Sequence, residues 1–263
     1  MASMVVGCGS KEEAAAPAPE AATEEAAAES DLAYVKEKGV LVVGITDFAP
    51  MDYKNEDGEW IGFDADMAKY FGGKLGVEVE FVEIDWDNKI LELDAKSVDC
   101  IWNGMTLTDE VKAAMDCSNA YCNNAQVVIV PTAKAQDFQD VESLADLTFA
   151  VEAGSAGEAE ATALGLNCTP VKAQSDALME VAAGTSDAAV IDSLMAAAMV
   201  GEGTGYADLT YTVGLNSEEY GVGFRKGSDL AAMLNDFFAA SYADGSMLEC
   251  AKAYGVEAAL VEQ

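Results

Sequence analysis

The residues of this chain that could do chemistry are acids and aromatics placed where apolar runs end. Phe48 follows the β-branched run 40–45 and its Thr46-Asp47 ending. Trp86 ends a second run and is flanked by Asp85 and Asp87, a setting that favours a cleft over a deep core. Two such rings can hold an aliphatic stem or take a cation face-on. Asp192 ends the apolar strand expected over 187–191, and a desolvated acid there needs a partner. Gly154-Ser155-Ala156-Gly157 opens a helix, whose free N–H groups suit an anion; Ser155 also reads as a plain cap, and the two roles are compatible. The chain has no histidine, which excludes Ser-His-Asp triads, Cys-His dyads, proximal-His haem and His-containing zinc sites.

The charge balance excludes further classes. The 263 residues carry 47 acids against 14 bases, a net charge of −33. A phosphate backbone is bound through excess Lys and Arg, so no nucleic-acid partner is expected. An anionic membrane surface would repel the chain. Most of the acid excess reads as a solvated surface with a weak, salt-screened pull on cations. Hydrophobic residues make up 51% of the chain, enough for substantial cores. No apolar run reaches the length of about 18 residues that crosses a bilayer.

Residues 11–30 contain only Lys, Glu, Ala, Pro, Thr and Ser and read as a disordered acidic tether. Val5-Val6-Gly7-Cys8 resembles a bacterial lipobox, in which Cys8 would be lipidated, although a charged segment and most of a hydrophobic segment before it are missing. A stray cysteine is the other reading of Cys8. Of the remaining cysteines, Cys117 and Cys122 lie close enough in sequence to pair and serve equally well as small core residues.

The elements that must position the chemistry alternate from Asp31 onward. Strands are expected over 40–45, 77–84, 98–102 and 125–130, the last apolar except for Gln126. Helices are expected from Gly62, with Met67, Ala68, Phe71 and Leu75 on one face, over 87–96, and over 108–115 with Thr108 as cap. The series restarts with strands over 147–151, 167–171 and 187–191, interleaved with helices over 156–164, 175–183 and 193–200. A strand over 220–224, a long helix capped by Ser228 and stopped by Gly245, and a helix over 246–254 complete the chain. This alternation predicts an α/β protein with mostly parallel sheets. An internal echo points to two lobes: Ile90–Leu93, Asp99 and Ile101 match 178–181, Asp187 and Ala189 at a constant offset of 88 residues. Ligands of open α/β sheets bind at the carboxyl ends of strands, so Gly104 and Asp192 should face one site from two lobes.

Together these residues carry a resemblance. The run 48–53, then Gly62-Phe63-Asp64-Ala65-Asp66-Met67-Ala68, Trp86, Asp99, Gly104-Met105-Thr106-Leu107-Thr108, Ser118, Tyr121 and 126–130 resemble the first part of family 3 solute-binding proteins, the polar amino-acid receptors of ABC importers. The segments 151–155, 187–192 and 220–227 continue it, so that it covers about residues 34–255. The resemblance implies the periplasmic-binding-protein-like type II fold: two Rossmann-like α/β lobes joined by a two-strand hinge. Lobe one would take 34–127 and 217–263, lobe two 128–216, behind a tether over 1–30. It implies an extracytoplasmic monomer, lipid-anchored to the outer face of the cell membrane or periplasmic. Such a receptor closes on a small amino acid or amine and delivers it to a permease, with no cofactor, metal or catalytic residue.

The resemblance also assigns roles. Phe48 would stack on the ligand and Trp86 would form the other half of an aromatic sandwich. Asp47 would serve a cationic side chain, though a solvated loop acid reads equally well. Gly104 and Thr106 would offer a carbonyl and a hydroxyl to an ammonium group, Asn103 an amide or only a turn. Ser155 would help hold a carboxylate, and Asp192 would pair with the α-ammonium. One position departs from the pattern. Members that bind α-amino acids carry an Arg five residues after Thr106, gripping the α-carboxylate through two parallel bonds. Here that position is Val111, and the loss is worth about 2–5 kcal/mol. Lys112 points about 100° away on the same helix, and Arg225 matches a family position outside the cleft. The ligand therefore either lacks an α-carboxylate or binds it through Ser155 and backbone N–H groups alone. Two other classes share the fold: enzymes of dehydratase or lyase type, for which Glu152 or Asp192 would have to act as acid or base, and sensor or adhesin domains. No transmembrane or signalling segment is read in the sequence, which counts against a sensor.

Overall fold

The computed structural model describes residues 1–4 and 30–263; Cys8 and most of the tether lie outside the described residues. Helix α1 (Asp31–Lys38) leads into β1 (Val40–Ile45), and a small hairpin of β2 (Tyr53–Lys54) and β3 (Trp60–Ile61) precedes α2 (Phe63–Leu75). Next come β4 (Glu78–Glu83), a 3₁₀ turn Trp86–Asn88 running into α3 (Lys89–Asp94), β5 (Cys100–Thr106), α4 (Asp109–Ala114), β6 (Asp116–Cys117) and β7 (Cys122–Asn124). The second half comprises β8 (Gln126–Pro131), β9 (Thr148–Glu152), α5 (Ala156–Ala163), β10 (Asn167–Val171), α6 (Gln174–Ala183), β11 (Ala188–Asp192), α7 (Ser193–Met199) and β12 (Leu209–Gly214). The chain ends with β13 (Glu218–Phe224), α8 (Leu230–Asp244) and α9 (Ser246–Tyr254).

Besides the β2-β3 hairpin, two large sheets result, one per lobe. The first has the order β4-β1-β5-β13-β6, with β7 beside β13; the second has the order β10-β9-β11-β8-β12. In each, three strands run parallel; β13 runs against β5 and β8 against β11, while β12, antiparallel to β8, runs in the sense of the parallel three. The expectation of mostly parallel sheets is corrected to that extent, because a strand entering from the opposite lobe meets its neighbours head-on. The chain passes between sheets at Ala125 and again over 215–217.

Burial follows the patterning. Leu41, Val43, Ile45, Met67, Phe71, Phe224 and Phe238 pack around Trp102, whose ring meets Phe238 edge-on at 5.6 Å. Each such fully buried side chain contributes about 1.5–3 kcal/mol. On the other side of the first sheet Trp86, Leu93, Ile101, Met105, Val111 and Met115 form a separate apolar cluster, of which Trp86, Met105 and Val111 reach the cleft. In the second sheet alternation sends Val128, Val130, Phe149 and Val190 to one cluster and Ile129, Ala150 and Ile191 to another. Asp229, not Ser228, sits at the cap position of α8. The Ser228 hydroxyl accepts from Leu230 N at 3.3 Å, while Asp229 accepts from Ser30 Oγ and Leu32 N and ties down α1.

The echo is physical. Asp99 N donates to Val42 O and its carboxylate accepts from Val42 N; Asp187 repeats both bonds with Thr148. Each acid thus fastens its strand to the neighbouring parallel one. Lys96, at φ 60°, occupies the helix-ending position that Gly184, at φ 74°, fills in the other copy.

Candidate functional site

The carboxyl ends of β5, β9 and β11 converge on a cavity of about 290 Å³ between the lobes. Lobe one contributes Phe48, Trp86, Lys89, Ile90, the stretch from Asn103 to Thr106, and Thr108 to Val111; lobe two contributes Glu152, Gly154, Ser155, Ala156, Ala159, Gln174 and Asp192. The cleft is closed. Lys89 Nζ of lobe one donates to Gly154 O of lobe two at 2.8 Å, and Lys172 pairs with Asp85 at 3.6 Å. At Gly154, φ +70°, a Cβ would stand 2.6 Å from Asp87 Cα, so the two backbones meet there.

The Asp192 carboxylate accepts four hydrogen bonds at the cleft. It is 4% exposed. Its Oδ1 accepts from Gln126 Nε2 at 2.9 Å, from Tyr220 Oη at 2.7 Å and from Asn124 Nδ2; its Oδ2 accepts from Gln174 Nε2. Asn124 and Gln126 also donate to Glu218 Oε1 at the start of β13, so their amides bridge two carboxylates at the crossing between lobes. Burial first and Glu218 second push the Asp192 carboxyl up to about 7, against the pull of its donors. A cation beside it would reverse that shift.

β5 is held from behind by two buried acids. Asp64 Oδ2 accepts from Gly104 N and from Tyr121 Oη, each at 2.7 Å, and Asp52 Oδ2 accepts from Asn103 Nδ2 at 2.7 Å. Burial pushes Asp64 up to about 7 and Asp52 well above its ordinary value, the latter also through repulsion by Asp64. Gly104 adopts φ +55°, and a Cβ there would lie 2.4 Å from the Phe48 ring, so glycine is needed for the ring to reach the cleft.

Phe48, Trp86, Asn103, Gly104, Thr106, Val111, Ser155 and Asp192 are therefore brought to one cavity, and Asp47 is not. Asp47 is exposed and faces a separate groove with Glu83, Lys172 and Asp176, because Phe48 next to it turns inward. The Asn103 amide has no capacity left: Oδ1 accepts from Thr46 N and Oγ1, and Nδ2 donates to Thr46 O and Asp52. It shapes the strand and offers nothing to a ligand. Trp86 is 7% exposed within the apolar cluster, deeper than its flanking acids suggested, and Lys89 Nζ lies 5.0 Å from its ring centroid. Thr106 Oγ1 donates to Glu218 Oε1 at 2.9 Å and keeps its acceptor side. Ser155 Oγ accepts from Glu158 N at 3.0 Å as the cap of α5. Val111 is 4% exposed, and Lys112 is turned out to a surface groove. Arg225 lies outside the cavity, bonded to Asp31, Leu93 O, Val98 O and Asp99.

Sequence reasoning did not single out Lys89, Gln174 or the Asn124–Gln126 pair, and it named Glu152 only for an enzyme. Gln126 carried a signal, as a lone polar residue in an apolar strand. Lys89 and Gln174 carried none, since a polar residue in the first turn of a helix is ordinarily solvated.

Residues 41–257 match the bacterial extracellular solute-binding proteins, family 3. The L-cystine-binding protein TcyJ of Escherichia coli K12 is 27% identical over 217 residues, which are 81% of each chain. The P235GK mutant of ArgBP from T. maritima superposes with a TM-score of 0.80 at 31% identity, covering 86% of this chain and 99% of that one. A substrate-binding protein of an ABC uptake transporter from Streptococcus pneumoniae with bound histidine gives 0.79 at 28% identity, covering 88% and 98%. With a match of this extent, carried by a two-lobed fold that closes over a cavity, the chain belongs to the family 3 bacterial extracellular solute-binding proteins.

Proposed function

We propose that this protein is the extracytoplasmic receptor of an ABC importer and that it captures a small amino acid or amine in the cavity between its lobes. The observation that carries the reading is Asp192. It is a buried acid at the cavity, its carboxylate bonded through Asn124 and Gln126 to the crossing between lobes, so that a cation on it bears on both the site and the hinge. Asp192 receives the ammonium group, Thr106 and the Gly104 carbonyl add acceptors, and Phe48 and Trp86 wall the stem. Hinge closure buries the solute, and the closed form is the one a permease engages. Residues 34–127 with 217–263, and 128–216, act as the two moving bodies. Cys8 holds the protein to the membrane as a lipid anchor. Catalysis is no part of this reading: a receptor returns its solute unchanged.

The test is a thermal-shift screen of the full chain against amino acids and biogenic amines. Ligand at 100 times its Kd stabilises the fold by about 2.7 kcal/mol. A solute that raises the Tm and is recovered intact after prolonged incubation supports the receptor; a solute that is consumed supports an enzyme instead.

A further inference from the structure

We propose that Glu152 is a second ligand-contacting carboxylate and that, with Asp192, it selects a small cationic amine carrying no carboxylate. The inference rests on the receptor reading above. Glu152 ends β9 beside β11, the strand that Asp192 ends, and both acids line the cavity. Glu152 is 2% exposed, and its Oε1 has no well-aligned hydrogen-bond partner among the described residues, although the Thr46 and Gln174 side chains favour its charged form. A closed cleft that leaves a buried acceptor orphaned is completed by a donor inside the cavity.

The end of the cleft where a carboxylate would bind has several of its donors already engaged by the chain itself. Glu158 Oε2 already accepts from Gly154 N at 2.7 Å, so the chain's own acid serves the N-terminus of α5. Ser155 N donates to Glu152 O at 3.2 Å, and Ser155 Oγ is engaged by Glu158 N. Val111 offers only hydrocarbon, its N–H being bonded to Thr108 Oγ1, and Ala156 at the start of α5 offers a backbone N–H but no charge. Lys89 is the one basic residue lining the cavity among the described residues, and it directs N–H groups to Trp86 O at 3.3 Å and Gly154 O at 2.8 Å. Against that single base stand Asp109, Glu110, Glu152 and Asp192. A cation offsets this imbalance, whereas the carboxylate of a zwitterion would meet Glu110 and Glu158 with only the largely engaged Lys89 to hold it.

The experiment is calorimetric titration of the full chain with matched pairs that differ by one carboxylate: agmatine and arginine, cadaverine and lysine, histamine and histidine. In at least one pair the amine should bind about tenfold or more tightly than the amino acid, and Glu152→Gln should weaken that amine by about tenfold or more. The comparison within pairs uses the unaltered protein and does not depend on how the variant folds. Tighter binding of the amino acid in every pair that binds, or amine affinity unchanged in Glu152→Gln, overturns the inference and leaves the receptor standing. Failure to bind either member of any pair overturns both.

Discussion

Gly154→Ala separates the cost of closing the cleft from the cost of folding the lobe. The residue has φ +70°, so any side chain there is strained whether the lobes are open or closed; for alanine this is about 1–2 kcal/mol. The added Cβ would also stand 2.6 Å from Asp87 Cα, 2.8 Å from Asp87 Cβ and 3.1 Å from Asp87 N, and those atoms belong to the other lobe. That second term, about 1–3 kcal/mol for an overpacked contact, acts only on the closed form. Backbone cannot move aside as a flexible side chain does. The unliganded variant should therefore lose about 2–8 °C in Tm, taking 2–4 °C per kcal/mol for a chain of this size. Its affinity for whichever solute the screen identifies should fall about 5–150-fold, at 1.4 kcal/mol per tenfold. Gly165→Ala is the control: φ is +74° and nothing lies within 4 Å of the added Cβ, so it should lower Tm and leave affinity alone. Calorimetric titration and thermal melts of both variants check the two terms. Gly154→Ala binding as tightly as the parent would refute the closed geometry from which the prediction is made.

Three further outcomes follow from the charges. The Asp192 and Glu152 carboxyls are pushed up to about 7 and about 8, so both hold protons in the empty closed cleft at pH 6 and must release them to grip a cation. Amine affinity should then rise between pH 6 and pH 8.5, with proton release seen as a dependence of titration heat on the buffer; a profile that falls instead contradicts the assignment. The same shifts bear on stability with a definite sign. An acid whose folded pKa is raised stabilises fully below its unfolded value and loses that contribution as pH rises through the folded one. With Asp64 also near 7, the unliganded protein should melt higher at pH 5 than at pH 8.5, and the reverse order would show these acids to be hydrated. Arg225→Met removes a buried guanidinium from Asp31, Asp99 and two carbonyls far from the cavity. It should cost about 3–5 kcal/mol of stability in a denaturant melt, while the affinity of the fraction that remains folded stays unchanged.

The two-lobed α/β fold was legible because burial is written in local patterns, and eight of the nine residues singled out in the sequence lie along one cavity. The apolar runs ending at Asp192 and near Gly104 located a site at strand ends without any contact being known. Asp47 was misleading for a local reason: adjacent residues at a strand end point to opposite sides, and the inward ring of Phe48 turned it away from the cavity. Asn103 faces inward, yet long-range bonds to Thr46 and Asp52 saturate its amide, and no spacing announces them. Lys89 donates to Gly154 O of the other lobe, a contact between two bodies that no single stretch of sequence encodes.

The claim at the centre of the account is that Asp192 receives the cationic end of a solute held between the lobes. Titration of the parent chain and of Asp192→Asn with the amines and amino acids above tests it most directly. The account predicts binding to the parent and a loss of about a hundredfold or more in the variant, as when one partner of a buried charge pair is truncated. Equal affinity in the two proteins would contradict it, and would place the solute somewhere other than on this acid.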